Sequence, residues 1–152
     1  MWRARLLLEP FNAADELSAF QRGLDDSVGG IATFTGLARG RNRDGTIVHR
    51  LFLQHHPRLT QRSLDQIARA AADRFDVRAI SLVHRAGGIA PGEPIVWVAT
   101  AAAHRRAAFE AADYLMDRLK TEAMFWKRED GPQGSTWMEP TESDRRERAR
   151  WE

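Results

Sequence analysis

Two apolar runs, Val77–His84 and Ile95–Ala102, flank the Gly- and Pro-rich stretch Ala86–Pro94, and together they constrain this chain more than any other feature. Aliphatic and β-branched residues bounded by Gly/Pro punctuation read as strands. The turn region between them is short, so the two pair as an antiparallel hairpin. His104–Lys120 follows at once, with Ala108, Ala111, Ala112, Leu115, Met116 and Leu119 on one helical stripe. A strand hairpin covered by a long helix is therefore the expected centre.

The remaining segments supply elements around that centre. Arg3–Leu8 reads as a strand stopped by Pro10, and Asn12 as the N-cap of a helix to about Gly23, with Asp15 and Glu16 in its first turn. Val28–Thr35 is expected to be a buried strand, and Gly36–Gly45 a Gly- and Arg-rich loop that is mobile when empty. Thr46–His55 alternates as a strand until Pro57, and Thr60 is expected to cap a helix presenting Leu64, Ile67, Ala68, Ala71 and Phe75 on one face. Phe125–Glu129 and Ser135–Glu139 read as short strands, and the tail from Thr141 as a short exposed helix. The expectation is an α+β fold of one domain over residues 1–152, mainly antiparallel sheet with packed helices in an α/β hammerhead-like arrangement. Its core spans about 3–140, and residues 141–152 form the helical tail.

Composition excludes several chemistries. The 152 residues contain no Cys, which rules out disulfides, thiolate metal sites, a cysteine nucleophile and a persulfide held on this chain. No apolar run approaches the ~20 residues of a membrane span. The N-terminal apolar run stops at Glu9-Pro10, too short for a secretory signal, so a cytoplasmic protein without membrane attachment is expected. The formal charge is only +2 and the charges are interleaved, which favours local anion sites over a nucleic-acid-binding face. His55-His56 does not suggest a metal, because neighbours on a strand point to opposite faces and no third ligand is suitably spaced.

Three stretches could carry chemistry. Among 23 basic residues, 21 are Arg and only 2 are Lys, and both lysines, Lys120 and Lys127, fall in one segment with Phe125-Trp126 between them. Arginine stays protonated, whereas a desolvated lysine can act as base or nucleophile. Thr33–Arg39 places Gly36 beside Arg39, suited to close approach of an anion, although a solvated turn reads the same way. His104-Arg105-Arg106 opens the long helix, where cations oppose the helix dipole and a bound anion would offset that cost; a cap followed by solvent-facing arginines is the alternative.

Taken in order, Thr33-Phe34-Thr35-Gly36-Leu37-Ala38-Arg39, His104-Arg105-Arg106-Ala107-Ala108-Phe109-Glu110-Ala111 and Leu119-Lys120-Thr121-Glu122-Ala123-Met124-Phe125-Trp126-Lys127-Arg128-Glu129 resemble the catalytic large subunits of molybdopterin synthase, from about Leu6 to Trp151. The resemblance implies a sulfurtransferase of molybdenum-cofactor synthesis that adds two dithiolene sulfurs to cyclic pyranopterin monophosphate. It implies a ubiquitin-like small-subunit partner bearing a thiocarboxylate on its C-terminal Gly-Gly, a dimer of large subunits, and a heterotetramer overall. No metal or other cofactor is implied. By position, Lys120 and Lys127 match the catalytic lysines: Lys120 for a covalent link to the partner's tail or activation of its thiocarboxylate, Lys127 for proton transfer and substrate binding. Leu37, Ala38, Arg39, His104, Arg105, Arg128 and Glu129 match substrate-binding positions, and Phe34 and Met116 pocket-lining ones. Two departures stand out. Met124 replaces a usual Pro and is expected to loosen the turn between the lysines. Thr141 replaces an Arg found in some members, leaving Arg145 or Arg128 as substitutes. An Arg-rich nucleic-acid-binding module and a scaffold that only holds the partner are the rival readings, the intact lysines arguing against the second.

Overall fold

The computed structural model describes residues 1–152. In chain order the elements are β1 (Trp2–Leu7), α1 (Ala13–Arg22), β2 (Gly30–Leu37), β3 (Arg50–His55), α2 (Leu59–Arg74), β4 (Ala79–Arg85), β5 (Gly87–Ile89), β6 (Pro94–Ala102), α3 (Arg105–Glu122), β7 (Phe125–Gly131), β8 (Gly134–Met138) and α4 (Glu142–Ala149). They build two four-stranded sheets, ordered β1-β4-β6-β2 and β5-β3-β7-β8. Only β1 and β4 run parallel; every other pairing is antiparallel. The fold is α+β and mainly antiparallel, as the sequence pattern predicts.

The β4–β6 hairpin is the centre of the first sheet, with Val83 opposite Trp97 and Leu82 opposite Val98. Side chains alternate across a strand, so Ile80, Leu82, Val96 and Val98 meet Leu64, Ile67 and Ala71 of α2 and Ala108 and Leu115 of α3. Val83, Trp97 and Ala99 face the other way, against Leu17 and Phe20 of α1 and Leu7 of β1. Every residue of β4 is buried. Burial on both faces explains why the sequence shows an unbroken apolar run instead of alternation.

Several expected elements are placed differently. The Val28–Thr35 strand lies at Gly30–Leu37 and is not buried: only Ala32 is, because β2 is the outermost strand and pairs with β6 alone. Ala86–Pro94 is not a plain turn. Gly87–Ile89 leaves the hairpin to pair with Leu51–Leu53 of β3, stitching the two sheets together. The strand expected from Thr46 starts at Arg50, since residues before it belong to a closed loop in which the Thr46 N–H donates to Asn42 Oδ1 and Asp44 Oδ1, both at 3.0 Å. Thr60 does not cap α2. The N–H groups of Arg58 and Leu59 donate to His56 Nδ1, at 3.2 and 3.1 Å, and Thr60 is fully buried. Asn12 caps α1 as expected, accepting from the Asp15 N–H at 3.1 Å. The tail helix α4 opens with a reciprocal Thr141–Asp144 capping box.

Trp97 is 1% exposed and meets the Phe20 ring edge-to-face with centroids 6.2 Å apart. Trp97→Ala should therefore destabilise the fold by about 3–5 kcal/mol, measured by urea unfolding monitored by far-UV circular dichroism.

Candidate active site

Strand alternation sorts the residues of β7. Lys127 pairs with Leu53 and Glu129 with Leu51 of β3, which puts both on the inner face, above the small cluster of Leu51, Leu53, Ala38 and Ile89. Trp126 and Arg128 point to the opposite, outer face. There the Arg128 guanidinium is bound by both carboxylate oxygens of Asp130, at 2.8 and 3.2 Å, and lies over the rings of Phe52 and Trp137. Within the expected Lys-Arg-Glu segment, Lys127 and Glu129 therefore share one face of β7 and Arg128 takes the other, because successive side chains of a strand alternate. Of the two arginines that could stand in for one at 141, Arg128 is bound to Asp130, while Arg145 lies exposed on α4.

Lys127 is half-buried, and this burial pushes its ammonium below the ordinary lysine range. The Glu129 carboxylate opposes the shift, the Lys120 and Arg39 charges reinforce it, and Asp144 of α4 opposes it. Charges from four segments of chain, the β7 strand of Lys127 included, therefore act on one amine. Lys120 sits in the last turn of α3 and Arg39 just beyond β2, both exposed. Ala38 is buried in the cluster beneath β7 and delivers Arg39 to this spot.

His84, which the sequence reading passed over, closes β4 beside the lysines. Its ring stacks on Phe125 with centroids 4.1 Å apart, and Nδ1 lies 3.0 Å from the Arg85 carbonyl. A carbonyl can only accept, so Nδ1 carries the proton and Nε2 is left as an acceptor. Burial lowers the His84 pKa to about 4, the Arg85 carbonyl opposes this, and the Lys120 charge adds to the lowering. A histidine ending an otherwise apolar strand was the available signal.

His104 and Arg105 do not join this group. They line a separate groove of about 580 Å³ with Gly29, Ala103, Arg106, Phe109 and Glu110. With α3 rising ~1.5 Å per residue, His104 and Lys120 lie roughly 24 Å apart along the helix. Neither His104 nor Arg105 forms an ion pair, whereas Arg106 lies 3.8 Å from Glu110. Of the expected pocket-lining residues, Met116 packs against the main core. Phe34 and Leu37 of β2 are 47% and 54% exposed.

The sequence model of the MoaE protein family matches residues 7–122. The chain belongs to this family. It is 49% identical to the molybdopterin synthase catalytic subunit of Caulobacter vibrioides over 144 residues, covering 95% of this chain and 93% of that one. The catalytic subunit of Escherichia coli is 40% identical over 143 residues, 94% of this chain and 93% of its own length. Among solved structures, the MoaE protein of Burkholderia ambifaria superposes with a TM-score of 0.81 at 36% identity, covering 99% of this chain and 98% of that chain.

Against the MoaE pattern, the Met124 departure has an effect opposite to the one expected. The Met124 N–H donates to Ser63 Oγ at 3.1 Å, and the Met124 carbonyl accepts from Thr60 Oγ1 at 2.6 Å. Both backbone groups of the linker between the lysines are tied to α2. Proline has no N–H, so Met124 adds a tether that proline could not make.

A buried neutral His84 makes stability depend on pH. Its folded pKa, about 4, lies below the 6.5 of the unfolded chain, so the stabilisation is complete above 6.5 and is lost as pH falls through about 4. Urea unfolding should show wild type losing about 3 kcal/mol more between pH 7 and pH 4 than His84→Gln. Parallel pH curves for the two proteins would refute the buried neutral histidine.

Proposed function

We propose that this chain is the catalytic subunit of a molybdopterin synthase, acting in the cytoplasm. It would insert two dithiolene sulfurs into cyclic pyranopterin monophosphate, taking them from the thiocarboxylate of a ubiquitin-like small subunit's C-terminal Gly-Gly. Lys120 links covalently to the partner's tail or activates its thiocarboxylate. Lys127 moves protons and contacts the substrate, with Glu129 beside it. Arg39 holds the substrate's anionic group, with Leu37 and Ala38 shaping the loop. The sulfur comes with the partner, so no metal or other cofactor enters the scheme, in keeping with a chain that has no Cys.

One observation carries this reading: the charges of Lys120, Arg39 and Glu129 all act on the half-buried Lys127 amine. Lowered by burial, that amine can exchange protons near neutral pH more readily than an exposed lysine. Incubation with thiocarboxylated small subunit and the pterin precursor should yield the dithiolene product. Lys120→Ala should lower kcat by roughly 10²–10⁴-fold while leaving small-subunit binding intact. Lys120→Arg should not restore turnover, because arginine keeps the charge without a usable amine. Full activity in Lys120→Arg would sink the assignment.

The roughly 24 Å between Lys120 and His104 favours a dimer in which His104 and Arg105 of one copy complete the anion site beside Lys120 and Lys127 of the other. The free edge of β2, with Phe34 and Leu37 exposed, offers apolar surface for such a contact. A small subunit on each copy would then give the heterotetramer. Co-expression of Lys120→Ala chains with chains carrying His104→Ala and Arg105→Ala tests this directly. Mixed dimers should regain activity that neither parent dimer has, and mixed dimers as inactive as both parents would place each site within one chain.

A further inference from the structure

The mechanism above leaves one buried charge without a role. Arg85, the last residue of β4, is 5% exposed. Its Nη1 donates to Glu93 Oε2 and its Nη2 to the Gly88 carbonyl, both at 2.9 Å. The other Glu93 oxygen accepts from the Ala90 N–H at 2.7 Å, while the Glu93 N–H donates to the Ala90 carbonyl at 3.1 Å. Arg85 Nε is buried and has no hydrogen-bond partner. An ion pair that removes a guanidinium from water is a costly way to close a turn, so what the turn holds is informative.

It holds the approach to Arg39. The β2–β6 ladder slips between Gly36 and Leu37, so that Leu37 pairs with Pro94 and Ala38 comes beside the Gly92–Glu93 turn that precedes β6. There the Ala38 N–H donates to the Glu93 carbonyl at 2.9 Å, and the Ala38 carbonyl accepts from the Gly92 N–H at 2.7 Å. Gly92 has φ +89°, a backbone setting that disfavours other residues. Both backbone groups of Ala38 are thereby fixed to a turn whose own shape is set by Arg85 and Glu93. The next residue, Arg39, is exposed and has no ion-pair partner in the chain.

We propose that the Arg85–Glu93 pair is the positioning device of the site, holding the Ala38 backbone so that Arg39 presents its guanidinium to the substrate's anionic group. This rests on the reading that Arg39 binds that group. Arg85 and Glu93 touch no substrate; they act through the turn.

The test measures kcat and KM for the pterin precursor, with saturating thiocarboxylated small subunit, in Arg39→Ala, Arg85→Lys, Glu93→Gln and the double variants with Arg39→Ala. Lysine lacks the fork that spans Glu93 and Gly88, and glutamine presents an NH₂ to one of the two donors that Glu93 now accepts from. Arg85→Lys and Glu93→Gln should each raise KM by about tenfold with kcat within about twofold, the same pattern expected of Arg39→Ala. In the Arg39→Ala background either change should move KM by less than about twofold, the signature of residues acting through a shared group. Independent, multiplicative losses, or a fall in kcat at unchanged KM, would overturn the proposal. If Arg85→Lys fails to fold, as judged by its thermal unfolding, the milder Glu93→Gln decides by the same criteria. An unchanged KM in Arg39→Ala alone would instead remove the underlying assignment of Arg39, and the positioning role with it.

Discussion

Burial of the β4–β6 hairpin on both faces is the constraint on which the rest of the molecule depends. With α2 and α3 against one side and α1 against the other, these strands cannot shift register without driving Trp97 or Leu82 into the wrong layer. The ends of the hairpin are consequently fixed points. At one of them β4 closes with His84 and Arg85, whose side chains leave the strand in different directions: one stacks on Phe125, the other enters the Gly88–Glu93 turn. Phe125 begins the strand that bears Lys127, and the turn holds the loop that bears Arg39. Two arms of the proposed site are therefore referenced to a single strand end.

The third arm is set by α3. A helix of 18 residues is a rigid spacer, and its two ends carry residues of the proposed site: His104 and Arg105 at the start, Lys120 in the last turn. Lys120 is well placed electrostatically, since a cation is favourable at a helix C-terminus. The Arg105 guanidinium is badly placed by the same rule, and no carboxylate of the chain pairs with it. The separation along α3, combined with an unpaired guanidinium at the far end, is what supports the proposed site assembled from two copies.

Much of this was legible in the sequence, and what was missed has definable causes. The hairpin, the long helix, the two late strands and the capped tail helix were readable because their apolar spacing or capping residues are local signals. Edge status is not local: nothing in Gly30–Leu37 says that β2 has a neighbour on one side only, so an apolar, β-branched run was read as buried. Likewise β5 is three residues long and rich in Gly, invisible until β3 is beside it. Thr60 looked like an N-cap because threonine often is one; the imidazole of His56 took that place and freed Thr60 to anchor the Met124 carbonyl. For the site, the rarity of lysine identified Lys120 and Lys127. Only the strand register could show that Glu129 stands with Lys127 while Arg128 does not, and only the length of α3 could show that His104 lies away from both.

The division between arginine and lysine follows from what each position must do. Arg85 is buried against Glu93, and Arg39 stands unpaired among cations; in both settings a lysine could lose its proton, whereas a guanidinium keeps its charge. Lys127 is in the converse position. Desolvation and two neighbouring cations weaken its hold on a proton, and Glu129 and Asp144 restore part of it. Removing either carboxylate would shift the amine further toward its neutral form, and removing either cation would shift it back toward the charged one, with burial still the largest influence. Such a balance suits the proposed role of Lys127 as a group that changes protonation state. A chain that writes its other positive side chains as arginine has thus kept lysine for two neighbouring positions, one of them poised so that loss of a proton is within reach.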